Sequence, residues 1–164
     1  MRIARGYVSL ALLLLLANCA TTSGKVPLRS DGSPGPEPCS EKALEYMRVL
    51  KLHPGDSAWM NVDQNKRGQK NFTINDGPIE SALEEQVEDT MLEGGTLLYG
   101  TVWTSGPDVV IRYYEARPLG GEVIPICGVA RLSGGELKKR PGPAPGSAVL
   151  PYPTARFVIV DGFR

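Results

Sequence analysis

The chain opens on an unbroken apolar block. Residues 7–17 hold Leu12 to Leu16 in succession, with only Ser9 polar among them, and Arg2 and Arg5 stand just ahead. A helix needs roughly 20 apolar residues to cross a bilayer, so this block is too short to span, and it lacks the polar face of a surface helix. A basic start followed by a short apolar run is the pattern of a secretory signal, here assigned to residues 1–18. Residues 20–38 then show no apolar period and hold four prolines. They are expected to be a tether.

Helical spacing begins at residue 40. Ser40 is placed to cap a helix that carries Glu41 in its first turn and Ala43, Leu44, Met47 and Leu50 on one face, and His53-Pro54-Gly55-Asp56 stops it. Two short strands are expected at 58–62 and 69–74. Over 79–92 the positions of Ile79, Ala82, Leu83, Val87 and Met91 predict a second helix, whose other face would hold Glu80, Glu84, Glu85, Glu88 and Asp89. Strand patterns follow at 96–104 and 109–116, joined by the turn Ser105-Gly106-Pro107-Asp108, then at 123–132 and 155–160. Residues 141–153, with five prolines, read as an extended wrap. The fold expected is α+β and mainly β: a small antiparallel sheet or partial barrel with one or two short helices.

Composition narrows this picture. A chain of 164 residues fits one domain, assigned to 39–164, and its 19 glycines and 14 prolines disfavour a helical bundle. The 18 basic and 18 acidic side chains cancel, which excludes the strongly basic character of a sequence-independent nucleic-acid binder.

Leu16-Ala17-Asn18-Cys19 resembles the lipobox of bacterial lipoproteins, although Asn18 stands where a small residue is usual. The resemblance implies cleavage before Cys19, a lipid thioether and acyl chains on it, and anchoring in the membrane. Ala20 follows the cysteine, where Asp would favour retention at the inner membrane, so the outer membrane is the expected location. With Cys19 lipidated, Cys39 and Cys127 remain as an even pair, for which a disulfide in an oxidising compartment is the favoured reading and two separate thiols the alternative. Two cysteines and the single His53 lack the paired spacing of a metal site, and no metal or other cofactor is expected.

Candidate chemistry is sparse. On the 96–116 hairpin, period-2 alternation puts Leu98, Val102, Val109, Ile111 and Tyr113 on a core face. It leaves Tyr99, Thr101, Trp103, Arg112 and Tyr114 on the other, with Trp103 opposite Val110 and Tyr99 opposite Tyr114. Tyr99, Trp103, Arg112 and Tyr114 have the composition of a binding hot spot and form the candidate binding surface, unless another element covers it. His53, Asp56 and Ser57 suggest a hydrolase, but Pro54-Gly55 explains that segment as a helix stop. Lys138-Lys139-Arg140 is too short to imply nucleic acid.

The remaining domain resembles a group of small bacterial envelope lipoproteins, through Pro38-Cys39-Ser40, Gly77-Pro78-Ile79-Glu80, residues 95–100, Arg112-Tyr113-Tyr114-Glu115 and Ile124-Pro125-Ile126-Cys127. The stretch 95–100 also resembles the β-rich domain of conjugation-channel proteins. A kinase is excluded, since no Gly-rich phosphate loop, H-R-D loop or D-F-G motif is present. The expectation is a lipid-anchored envelope protein with a non-catalytic domain that binds a protein or envelope polymer. The alternatives are a small hydrolase using His53 and an accessory subunit of a secretion or motility complex.

Overall fold

A computed structural model describes residues 25–164. The expected signal peptide, Cys19 and the first part of the tether lie outside the described residues. In chain order the elements are β1 (Glu37–Pro38), α1 (Glu41–Val49), β2 (Ser57–Asn61), β3 (Phe72–Asn75), β4 (Gly77–Leu83), β5 (Leu97–Trp103), β6 (Val110–Arg117), β7 (Ile124–Arg131), β8 (Arg140–Pro141), β9 (Ser147–Leu150), β10 (Thr154–Ile159) and β11 (Gly162–Phe163). Six of the strands close an antiparallel barrel in the order β10-β2-β4-β5-β6-β7, with β10 bonded to β7 to complete the ring. The fold is therefore α+β and mainly β, as the alternation predicts.

Period 2 decides what fills the barrel. Ala58 and Met60, Ser81 and Leu83, Leu98 and Val102, Ile111 and Tyr113, Ala130, and Ala155, Phe157 and Ile159 are all buried. Tyr113 meets Phe157 edge-on, with ring centroids 5.6 Å apart. Its hydroxyl is 2.7 Å from Ser81 Oγ, which itself donates to the Val62 carbonyl at 2.5 Å. The Tyr113 phenol thus donates to Ser81, and both buried hydroxyls are satisfied. Burial pushes the Tyr113 phenol well above its usual range. Gly128, the partner of Tyr113 in the next strand, lies directly beneath the Phe157 ring, where any Cβ would run into the aromatic carbons. A glycine is the condition for the large ring to fit.

The helix packs outside the barrel on β7. Ser40 Oγ accepts from the Ala43 N–H at 3.1 Å, as its capping position predicts. Ala43 and Met47 turn inward, and the Cys127 N–H points at Met47 Sδ, 3.3 Å away. Cys39 and Cys127 form a disulfide with Cα atoms 6.0 Å apart, joining the chain just ahead of α1 to β7. A second sheet, β3-β9-β8, lies beside the barrel.

Two sequence expectations are corrected. Residues 79–92 do not form a helix: Gly77–Leu83 is β4, bonded to β2 on one side and β5 on the other, and turns follow it. The would-be polar face sets like charges four residues apart, Glu80 with Glu84, Glu84 with Glu88 and Glu85 with Asp89, which opposes a helix. In the strand arrangement the acids find uses instead. Glu84 Oε1 accepts from Asn61 Nδ2 at 2.8 Å and Glu85 Oε1 from the Trp59 N–H at 2.9 Å. The second correction concerns residues 141–153, where Ser147–Leu150 forms β9 between β3 and β8.

The disulfide closes a loop of 88 residues in separation. Replacing Cys39 and Cys127 by Ser is expected to lower stability by about 4–5 kcal/mol. Urea unfolding of the oxidised protein and the double variant measures this directly.

Candidate functional site

The site is built on the outer wall of the β5–β6 hairpin. The register places Trp103 opposite Val110, as expected, and Thr101 opposite Arg112. Past Gly100 the pairing shifts, so Tyr99 faces Glu115 and not Tyr114. The cause is a bulge in β6: Tyr99 pairs with Glu115 and Gly100 with Tyr113, which leaves Tyr114 as the extra residue. Tyr99 consequently stands apart from the other three, half-buried, with the Arg117 guanidinium 5.8 Å from its ring centre.

Trp103, Arg112 and Tyr114 do come together, but beneath cover. Arg112 points away from the barrel interior and is nevertheless 1% exposed. Residues 27–38, assigned to the tether by their prolines, run across it. Ser33, Pro34 and Gly35 are buried, and Glu37–Pro38 pairs with Gly162–Phe163 as a two-stranded ribbon. A loop ahead of the ribbon is held by the Gly35 N–H on the Pro27 carbonyl at 2.7 Å and the Arg29 N–H on the Ser33 carbonyl at 2.8 Å. We call this segment the strap.

Arg112 Nη2 donates to the Gly35 carbonyl at 2.8 Å and the Pro34 carbonyl at 3.3 Å, while Nη1 reaches Glu37 Oε2 at 3.5 Å. The guanidinium lies 5.0 Å from the Phe163 ring centre and 5.6 Å from that of Trp103. Tyr114 donates to the same Glu37 oxygen at 2.9 Å and meets Phe163 edge-on, centroids 5.2 Å apart. Burial, then the Glu37 carboxylate, pushes the Tyr114 phenol well above its usual range. A cation taken out of water needs charge and carbonyl partners, and the strap supplies both. Sequence reasoning named the cation and its aromatic neighbours but missed Glu37, Phe163 and the two carbonyls. Nothing in a proline-rich stretch marks two of its carbonyls as ligands.

A second aromatic–cation row lies open on the same wall. Trp59 is 37% exposed, pairs with Arg156 across β2 and β10, and holds that guanidinium 5.4 Å from its ring centre. Arg156 in turn pairs with Arg131 across β10 and β7. Next to Arg131 is a groove of about 250 Å³ whose lining includes Val110, Val129, Val158, Arg131, Glu136 and Arg164. Glu136 is 3.4 Å from Arg131, its second carboxylate oxygen is buried without a partner, and desolvation raises its carboxyl above the usual range.

The hydrolase residues are arranged otherwise. His53 is exposed, its imidazole 3.5 Å from Asp56 and its backbone N–H on the same carboxylate at 2.7 Å. Ser57 Oγ accepts from Arg156 Nη2 at 2.6 Å and Nε at 3.1 Å. The basic cluster is dispersed: Lys138 pairs with Asp108 at 2.9 Å, Lys139 donates to the Thr104 carbonyl, and Arg140 to Asn71 Oδ1 at 2.6 Å. Among the described residues, no group of three or more His, Cys, Asp or Glu is placed to hold a metal ion. No protein-family model, curated protein or solved structure matches the chain.

A carboxyl whose folded pKa is raised contributes stability that is fully present below its unfolded pKa and is lost as pH rises through the folded value. Glu136→Gln is therefore expected to be more stable than the natural protein at pH 7. The advantage should shrink toward zero below the ordinary carboxyl range. Urea midpoints at pH 7 and about pH 3 test the sign; an equal difference at both would contradict it.

Proposed function

We propose that the chain is a lipid-anchored protein of the bacterial cell envelope whose barrel is a non-catalytic binding module. The observation that carries this reading is where the barrel puts its chemistry. Its inside is given to apolar packing and one satisfied Tyr113–Ser81 pair, while arginines and aromatic rings are set in cross-strand rows on the outer wall. Rows of Trp and Arg on a rigid sheet are the composition of protein-binding surfaces. The Trp59–Arg156–Arg131 row is the open part of that surface, and Tyr99 with Arg117 is a second.

The anchor is supported by the apolar block, the lipobox resemblance at Leu16-Ala17-Asn18-Cys19 and the cysteine count. The Cys39–Cys127 disulfide fits an oxidising compartment, and with it only Cys19 is left over. Since the strap takes up residues 27–38 of the expected tether, only residues 20–26 of it would remain between Cys19 and the barrel. The barrel would then ride close to the lipid surface, facing a protein or envelope polymer there. A hydrolase built on His53 receives no comparable support. Its serine hydroxyl oxygen is occupied by Arg156, and its histidine sits on a solvent-exposed turn.

Intact mass of protein extracted from membranes, alkylated with and without reduction, tests the anchor. The expected product begins at Cys19, bears acyl mass, and shows two thiols only after reduction. A soluble product that keeps residues 1–18 would overturn the proposal.

A further inference from the structure

Arg131 and Glu136 make a poor ion pair. At 3.4 Å their contact is longer than the roughly 2.7–2.9 Å of a charge-assisted hydrogen bond. The carboxylate gains little else there. Its second oxygen is buried without a partner, a standing penalty for an acceptor, and burial disfavours its charged form. Both side chains keep an open edge, Arg131 at 36% and Glu136 at 29% exposure. Glu136 stands in the turn after β7, outside any strand, so its carboxylate can leave the guanidinium without disturbing the wall.

The surroundings of this pair are cationic and apolar. Arg156, the neighbour of Arg131 across β10 and β7, donates to Ser57 Oγ and lies over the Trp59 ring. Among the described residues it forms no ion pair. Val129 and Val158, paired on the same two strands, join Val110 as an apolar floor in the groove of about 250 Å³. Asp161 is the other acid on the groove's lining, and Arg164 offsets it.

On the reading of the barrel as a binding module, we infer that this groove and the Trp59–Arg156–Arg131 row bind an acidic peptide segment of a partner protein, and that Glu136 occupies Arg131 in place of the partner's carboxylate. A carboxylate arriving from outside can meet the planar guanidinium with two parallel hydrogen bonds, where Glu136 only approaches it. Glu136 then turns to water, and its orphan oxygen is hydrated. Two adjacent guanidiniums call for more than one carboxylate, which a fatty acid does not offer. The valine floor calls for an aliphatic side chain, which a uronate or phosphate polymer lacks. A peptide that carries acidic and aliphatic residues supplies both.

Fluorescence anisotropy tests this with a labelled peptide, Gly-Glu-Glu-Leu-Glu-Glu-Leu-Glu-Gly, titrated with detergent-solubilised full-length protein at low salt. The peptide is expected to bind at least about tenfold more tightly than its counterpart with Gln in place of each Glu. Arg131→Gln and Arg156→Gln should each weaken it about tenfold, and Glu136→Gln should tighten it about threefold or more. That last change is a gain, which a misfolded variant does not give. An affinity unchanged in Arg131→Gln, or no gain in Glu136→Gln, would overturn the inference. So would displacement by polygalacturonate or polyphosphate as ready as by unlabelled peptide, because the groove would then read charge alone. If both peptides bind equally and Trp59→Ala abolishes both, the acidic ligand is overturned while the binding module stands. If neither binds, the row loses its role as a binding surface along with the ligand.

Discussion

A guanidinium withdrawn from water costs several kcal/mol unless charge and carbonyl oxygens replace the lost hydration. On this barrel Arg112 meets that condition through Pro34, Gly35 and Glu37. The arrangement constrains much else. It fixes the path of residues 34–37 over the hairpin, brings Glu37 to Tyr114, and sets Phe163 against both Arg112 and Tyr114. The last strand of the chain and the first therefore meet over β6. The barrel is closed by β10 on β7, while the outer wall is organised by a single buried cation.

The disulfide works alongside this contact. It ties the chain just after the strap to β7, beneath α1, so the strap enters the domain from a fixed point. From there only a few residues separate Cys39 from the carbonyls on Arg112. On the proposed reading the same short path carries the connection from lipid to barrel. The segment that would otherwise be a spacer thus sets how near the membrane the open Trp59–Arg156–Arg131 row can stand.

Much of the fold was legible where alternation was clean. The β5–β6 hairpin, β7 and β10 follow directly from period 2, and the helix from Ser40 and the stop at Pro54-Gly55. Ambiguity entered where one spacing served two structures. Ile79, Ala82, Leu83 and Val87 fit a helix face, yet Ser81 to Leu83 are buried because β2 and β5 pair with them on either side, a non-local fact. The strand β9 hid among prolines because Ser147–Leu150 is short and takes its register from β3. The candidate surface was half legible. Alternation sent Trp103, Arg112 and Tyr114 outward correctly, but the cover came from residues whose composition reads as linker. Tyr99 lost its expected partner because Tyr114 is the extra residue of a bulge in β6, which the alternation alone does not reveal. Trp59 and Arg156 sit on strands far apart in sequence, and only closure of the barrel makes them neighbours.

The claim on which the rest turns is that residues 27–38 belong to the folded domain. Residue-resolved amide exchange on the natural protein is the most direct measurement. The Gly35, Arg29 and Phe163 N–H groups should exchange at least about a hundredfold more slowly than in a free peptide, a protection of about 3 kcal/mol. Exchange of the strap amides at free-peptide rates, with the barrel strands still protected, would contradict the account.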